Sequence, residues 1–168
     1  SFGVEYDSLA DLISFGVAPA MLLFTWGLEP YGRLGWLVAF LFLACGALRL
    51  ARFNVMTGVI SKAFFQGLPI PIAANMVSTF VIFNDMTNWP GWSGHARTQY
   101  FTLALSLMLS SLMISTLPFP SFKELNWRSR ANFGFLMIAV FSTILIVAQP
   151  EVSLFLIISA YVLSLIHI

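Results

Sequence analysis

The sequence predicts an all-α protein, a polytopic membrane bundle with about six transmembrane helices in 168 residues. Three observations predict it. Charged residues make up 9% of the chain and hydrophobic ones 59%, whereas a soluble domain carries about 25% charged residues. Mean hydropathy is +0.89. The apolar residues fall into six runs of membrane-spanning scale, separated by turn-forming and charged residues.

The first run extends from about Val4 to Thr25 and closes at Trp26-Gly27-Leu28-Glu29-Pro30-Tyr31-Gly32, which reads as a tight loop. The second runs from about Leu34 to Arg52. The third starts near Pro69 and ends near Phe83. Its prolines, Pro69 and Pro71, fall where a helix tolerates them, in the first turn with its unpaired amides. The stretch from Asn84 to Arg97 is polar and aromatic, and its Trp89 and Trp92 suit the headgroup level. The fourth run covers about Thr98 to Leu117 and the fifth about Asn132 to Ala148. Gln149-Pro150-Glu151 makes a short turn, and the sixth run goes from about Val152 to the end. No repeat or low-complexity tract interrupts residues 1–168, which read as one membrane domain, incomplete at its N-terminus. The last residues, Leu163 to Ile168, read as a truncation or a foreign read-through.

Composition excludes several function classes. A net charge of +1 leaves no electrostatic footprint for nucleic acid. Cys45 is the only cysteine, so it forms no intrachain disulfide, and its small apolar neighbours make it a packed thiol. No His/Cys cluster of the zinc kind occurs.

Six alternating helices put residues 1–3, the 53–68 and 118–131 loops and the C-terminus on one side. Arg49, Arg52, Lys62, Lys123, Arg128 and Arg130 lie on that side, and only Arg33 and Arg97 lie opposite. The positive-inside rule makes the six-residue side cytoplasmic.

The chemistry-bearing pattern is at the start. Gly3, Asp7 and Asp11 recur every four residues and form one stripe on a helix. An aspartate near the bilayer centre costs roughly 2.5–3.5 kcal/mol, so such residues face polar cavities that bind ions or move protons. Helix capping is the structural alternative; it suits Asp7 and not Asp11, because the dipole effect fades after one turn. Two carboxylates a turn apart are hard oxygen donors for a divalent cation that also contacts phosphate, and further ligands must come from elsewhere. Glu5 points off the stripe and is solvated.

Arg49 and Arg52, in Leu48-Arg49-Leu50-Ala51-Arg52-Phe53-Asn54, share a face three residues apart. They either snorkel to the interface or bind carboxylate or phosphate with parallel hydrogen bonds. Gly67-Leu68-Pro69-Ile70-Pro71 reads as a rigid helix start. In Pro118-Phe119-Pro120-Ser121-Phe122-Lys123 the lysine either reaches a phosphate or faces water. His95 reads as a solvated surface histidine.

Gly3-x-x-x-Asp7-x-x-x-Asp11 at the cytoplasmic start of a membrane helix resembles the second half of the CDP-alcohol phosphatidyltransferase signature, whose first half, Asp-Gly-x-x-Ala-Arg, would lie upstream of Ser1. The segments Phe2-Gly3 through Ala18-Pro19-Ala20, Arg49 to Asn54, Gly67 to Pro71 and Pro118 to Lys123 are similar to the members that use serine as acceptor, and the likeness extends to about Ser164. The resemblance implies a reaction in which CDP-diacylglycerol and L-serine give phosphatidylserine and CMP. It implies that Asp7 and Asp11 bind a divalent cation, Mg²⁺ or Mn²⁺, and that Asp11 acts as base towards the serine hydroxyl. It implies substrate contacts at Gly3, Arg49, Arg52 and Lys123, an integral protein of the bacterial inner membrane with a cytoplasmic-facing site, surrounding membrane lipid, and a homodimer. It implies that a chain with half the signature is inactive. The other readings are a sister transferase using glycerol phosphate, inositol or choline, a cation-coupled transporter, and a non-catalytic subunit whose acids pair with Arg49 or Arg52.

Overall fold

The structure, a computed structural model, describes residues 2–56, 64–87, 95–116, 118–120 and 133–166. Their architecture is a helical membrane bundle. The first helix starts as α1 (Phe2–Leu12), passes through a π turn (Ile13–Val17) into α2 (Ala18–Leu23), and continues through a second π turn (Phe24–Leu28) to a 3₁₀ turn (Glu29–Tyr31). The rest are α3 (Arg33–Met56), α4 (Ile70–Thr87), α5 (His95–Ile114), α6 (Phe133–Ala148) and α7 (Pro150–Ile166). The stretches Glu5–Tyr31 and Arg33–Val55 are long and apolar enough to cross a bilayer, and Ile70–Met86 and Val152–Leu163 are shorter apolar helices.

The first helix is longer than its apolar run predicts. The expected loop at 26–32 is helical to Tyr31, and only Gly32, with φ of +54°, turns the chain. Packing overrides the loop-like composition. Leu28 is fully buried, and a Cβ on Gly27 would come within 2.8 Å of the Thr102 hydroxyl on α5, so this glycine permits close contact between helices. Pro30 falls in the 3₁₀ turn, at a position where no amide is needed. The first π turn leads up to Pro19, which has no amide to return to the preceding turn and so loosens the regular ladder there.

The other boundaries follow the same logic. α3 continues past Arg52 to Met56, held by side chains described below. α5 begins at His95 and stops at Ile114, before Pro118. α7 begins on Pro150, so the expected turn is reduced to Gln149, whose carbonyl accepts from the Ser153 amide at 3.1 Å. The sequence reading contained no strand, yet β1 (Phe64–Gln66) pairs antiparallel with β2 (Pro118–Pro120), Phe65 opposite Phe119. Two strands of three residues leave outer edges on which prolines are tolerated.

The core lies where α3 packs along α5 and where α4 meets the first helix, α5 and α7. Phe42, Phe80, Leu23, Leu28, Leu109 and Met113 are fully buried in it. α5 brings Thr102, Ser106 and Ser110 into this interior, each hydroxyl donating to a carbonyl of its own helix. That self-satisfaction keeps polar side chains compatible with an apolar interior. Cys45 is buried as predicted.

Candidate active site

α1 carries Gly3, Asp7 and Asp11 on one stripe. The acid of its first turn is Glu5, so the two aspartates stand beyond the turn where dipole capping is strongest. Asp7 is exposed and Asp11 half-buried. Gly3 has open space around it among the described residues: a Cβ there would meet nothing within 4 Å.

Three connections assemble this end of the bundle. Asn54, in the last turn of α3, donates from Nδ2 to the hydroxyl of Ser8 at 2.9 Å. Ser8 stands between the two aspartates in sequence, so the bond fixes how α1 is rotated against α3. Arg52 donates from Nη1 to the Ile114 carbonyl at 3.0 Å, placing a cation on the negative end of α5. The Leu68 amide donates to the Leu112 carbonyl at 3.1 Å. Gly67 makes that last approach possible: its φ is +76°, and a Cβ would collide with the Met113 carbonyl. The Pro69 carbonyl accepts from the Ile72 and Ala73 amides, which starts α4.

The two arginines part company. Arg52 is spent in part on α5. Arg49 is only 8% exposed, its guanidinium carbon 5.5 Å from the centre of the Phe53 ring. Its Nε is buried and meets no hydrogen-bond partner among the described residues. A snorkelling arginine would present its head to the interface; this one is held inside. Lys123 lies outside the described residues, three positions beyond β2.

Among the described residues, no group of three or more His, Cys, Asp or Glu side chains gathers as a complete metal shell. The donor set at hand is Asp7 and Asp11, two hard carboxylates a turn apart, and neither makes an ion pair with a described residue. That set fits part of the oxygen shell of Mg²⁺ or Mn²⁺.

A cavity of about 210 Å³ opens between the first helix and α4. Ser14, Phe15, Ala18, Pro19 and Leu22 form one wall, and Ala74, Asn75 and Ser78 the other. Sequence reasoning missed it, and missed the Ser8–Asn54 bond. The available signal was Asn75, an amide in the otherwise apolar start of α4.

Comparison with known proteins adds a second line. The family model described as CDP-alcohol phosphatidyltransferase matches residues 1–144. A CDP-diacylglycerol–serine O-phosphatidyltransferase of Helicobacter pylori is 35% identical over 150 residues, covering 89% of this chain and 60% of that protein. The enzyme of the same name from Bacillus subtilis is 36% identical over 123 residues, 73% of this chain and 60% of that protein. An archaetidylserine synthase of Methanothermobacter thermautotrophicus is 40% identical over 119 residues, 71% of this chain and 45% of that protein. The chain thus spans 60% or less of the length of each of these three relatives.

Proposed function

The chain belongs to the CDP-alcohol phosphatidyltransferase family, and from that membership we propose that the protein transfers a phosphatidyl group from CDP-diacylglycerol to L-serine, giving phosphatidylserine and CMP. The relatives named for serine transfer support the choice of acceptor. One structural observation carries the reading: two aspartates without an ion-pair partner among the described residues, and a buried arginine with an unmet Nε, stand at the same end of the bundle. Acids that only neutralised Arg49 or Arg52 would be paired with them.

In this reading Asp7 and Asp11 hold a divalent cation. When bound, it neutralises the pyrophosphate and the charge that develops on departing CMP. The serine hydroxyl attacks the lipid-side phosphorus, and the bond from that phosphorus to the CMP oxygen breaks. Serine's hydroxyl is a weak nucleophile, and Asp11 takes its proton during attack. Gly3 leaves room for the nucleotide to approach α1. Arg49 offers its unmet guanidinium donors to the phosphate or to the serine carboxylate. Arg52 keeps donors free beside its bond to Ile114, and Lys123 adds a third cation.

The excess of basic residues at this end supports a cytoplasmic site, and the family resemblance supports the further proposal of a homodimer in a bacterial inner membrane. CMP release tests the function: the full-length protein is supplied with CDP-diacylglycerol, Mg²⁺ or Mn²⁺, and serine, glycerol phosphate, inositol or choline in turn. Serine alone should support release, and chelation should stop it. Equal release with glycerol phosphate would overturn the acceptor assignment.

A further inference from the structure

The cavity between the first helix and α4 holds three polar side chains in a membrane-embedded wall: Ser14, Asn75 and Ser78. Elsewhere on these helices hydroxyls turn back on their own backbone, as Thr25 does to the Met21 carbonyl and Thr79 to the Asn75 carbonyl. The side chains of Ser14, Asn75 and Ser78 have no hydrogen-bond partner among the described residues. Ser14 and Asn75 are exposed and Ser78 half-buried, so their polar atoms are open to whatever fills this space at membrane depth, and three of them converging there point to a polar ligand. The π turn adds to this, because Pro19 has no amide for the carbonyls of Ser14 and Phe15.

Position and charge define the ligand. Ser14, Phe15, Ala18 and Leu22 follow Asp11 at spacings of three, four, seven and eleven, so the cavity continues the acidic stripe into the bilayer. At 1.5 Å per residue it spans from about 4 Å to about 16 Å beyond Asp11. No charged side chain lines it, and Phe15, Pro19, Leu22 and Ala74 are apolar. A phosphate or the serine zwitterion would enter without a counter-charge. A neutral group that accepts hydrogen bonds and continues into hydrocarbon meets both halves of the lining. Ile13, Val17 and Met21 on the same helix are exposed, as at a lipid boundary.

We propose that this cavity seats the glycerol–ester segment of the lipid substrate, with the Asn75 amide donating to an ester carbonyl and Ser14 and Ser78 beside it. The inference rests on the transferase reading above for the identity of that lipid. It places the phosphates at Asp7 and Asp11 and the ester groups one to two turns deeper, so that the cavity aligns the reacting phosphorus by gripping the part of the lipid that does not react.

The test uses the full-length protein in mixed micelles. Asn75→Leu should raise the KM for CDP-diacylglycerol about tenfold, the loss of one good hydrogen bond, with kcat and the KM for serine unchanged within about twofold. Ser14→Ala and Ser78→Ala should each raise it less, and Asn75→Gln should recover part of the loss. An activity-independent readout is labelling by CDP-diacylglycerol with a diazirine at the start of one acyl chain. Label should appear on residues 14–22 and 74–78 and be competed by unlabelled CDP-diacylglycerol. A rise in the serine KM alone would make the cavity the acceptor site and overturn the proposal. Unchanged lipid KM with label elsewhere would also overturn it, as expected if another segment or a second copy fills the space. Labelled residues in a protein that releases no CMP with serine would sink the transferase reading and leave the lipid cavity standing.

Discussion

The two ends of the bundle are held together by different physics. At the end that carries Asp7 and Asp11 the links are directional: Asn54 to Ser8, Arg52 to the Ile114 carbonyl, Leu68 to the Leu112 carbonyl, and the β1–β2 ladder. At the opposite end they are aromatic. Phe80 lies 5.6 Å from Trp26 edge-on, 4.9 Å from Phe101 and 6.0 Å from Phe155, while Phe83 stacks on Phe155 at 4.8 Å and Phe24 meets Trp36 at 4.2 Å. Ring contacts tolerate small displacements, because dispersion falls off gently over a large surface. Hydrogen bonds do not, since they lose strength steeply with angle. One end therefore supplies cohesion and the other supplies orientation. Substitutions at the two ends should separate stability from turnover.

The largest effect belongs to the proposed base. Asp11→Asn keeps the size of the side chain and removes its proton affinity. CMP release should fall more than about a hundredfold, the scale of general base catalysis plus a lost metal contact, while the unfolding midpoint in detergent stays near that of the parent. A near-normal rate would remove Asp11 from its role. At the far end, Phe80→Ala empties the centre of the aromatic cluster. In a water-soluble core that truncation costs about 3–5 kcal/mol. Here the unfolded reference is also in lipid, so the transfer part is smaller, and we expect roughly 2–3 kcal/mol. The kcat per folded molecule should hold. If Phe80→Ala lowers kcat as much as it lowers stability, the division between the ends fails.

Gly27→Ala probes a close helix contact at the aromatic end, beside Trp26. The added Cβ would meet Thr102 at 2.8 to 3.0 Å, and overpacking should cost about 1–3 kcal/mol. Thr102→Ser removes the methyl that crowds it, so the double variant should recover part of the loss. Thermal unfolding of the four combinations measures that coupling. Strict additivity would mean that the two helices do not depend on this contact.

The difference between the ends also sets what the sequence could reveal. Apolar runs of membrane length are written in composition, so helices at α3 to α7 could be drawn within a few residues. The Asp7–Asp11 stripe is equally plain, because a spacing of four needs only helix geometry. The helical stretch 26–31 was hidden: Gly27, Pro30 and Gly32 look like a loop until Leu28 and Thr102 are seen to bury it. The β1–β2 ladder was hidden because three residues carry no period. Arg49 and Arg52 look alike in the sequence, and only the end of α5 and the ring of Phe53 distinguish the buried cation from the anchored one. Ser14 and Asn75 were passed over because single neutral polar residues are common in membrane helices; their meaning lies in facing the same cavity.

The smallest change in stability should be at the clasp between α3 and α1. Ser8→Ala deletes the exposed hydrogen bond that Asn54 donates to Ser8, worth about 1 kcal/mol or less, and unfolding should barely register it. Turnover should respond more. Ser8 lies one residue from Asp7 and three from Asp11, so freeing it lets α1 rotate and carries both carboxylates away from the other ligands. Misplacement of about 1 Å is enough to cost up to a hundredfold in rate; a partial loosening should cost about three- to tenfold in kcat. The metal concentration for half-maximal rate should rise with it, because the same rotation spoils the carboxylate pair. Asn54→Ala removes the same bond and should reproduce the effect on kcat and metal dependence, and on those two readouts the double variant should be no worse than Asn54→Ala. If Ser8→Ala leaves both kcat and metal dependence untouched, the directional end is merely structural, and the contrast between the two ends loses its functional meaning.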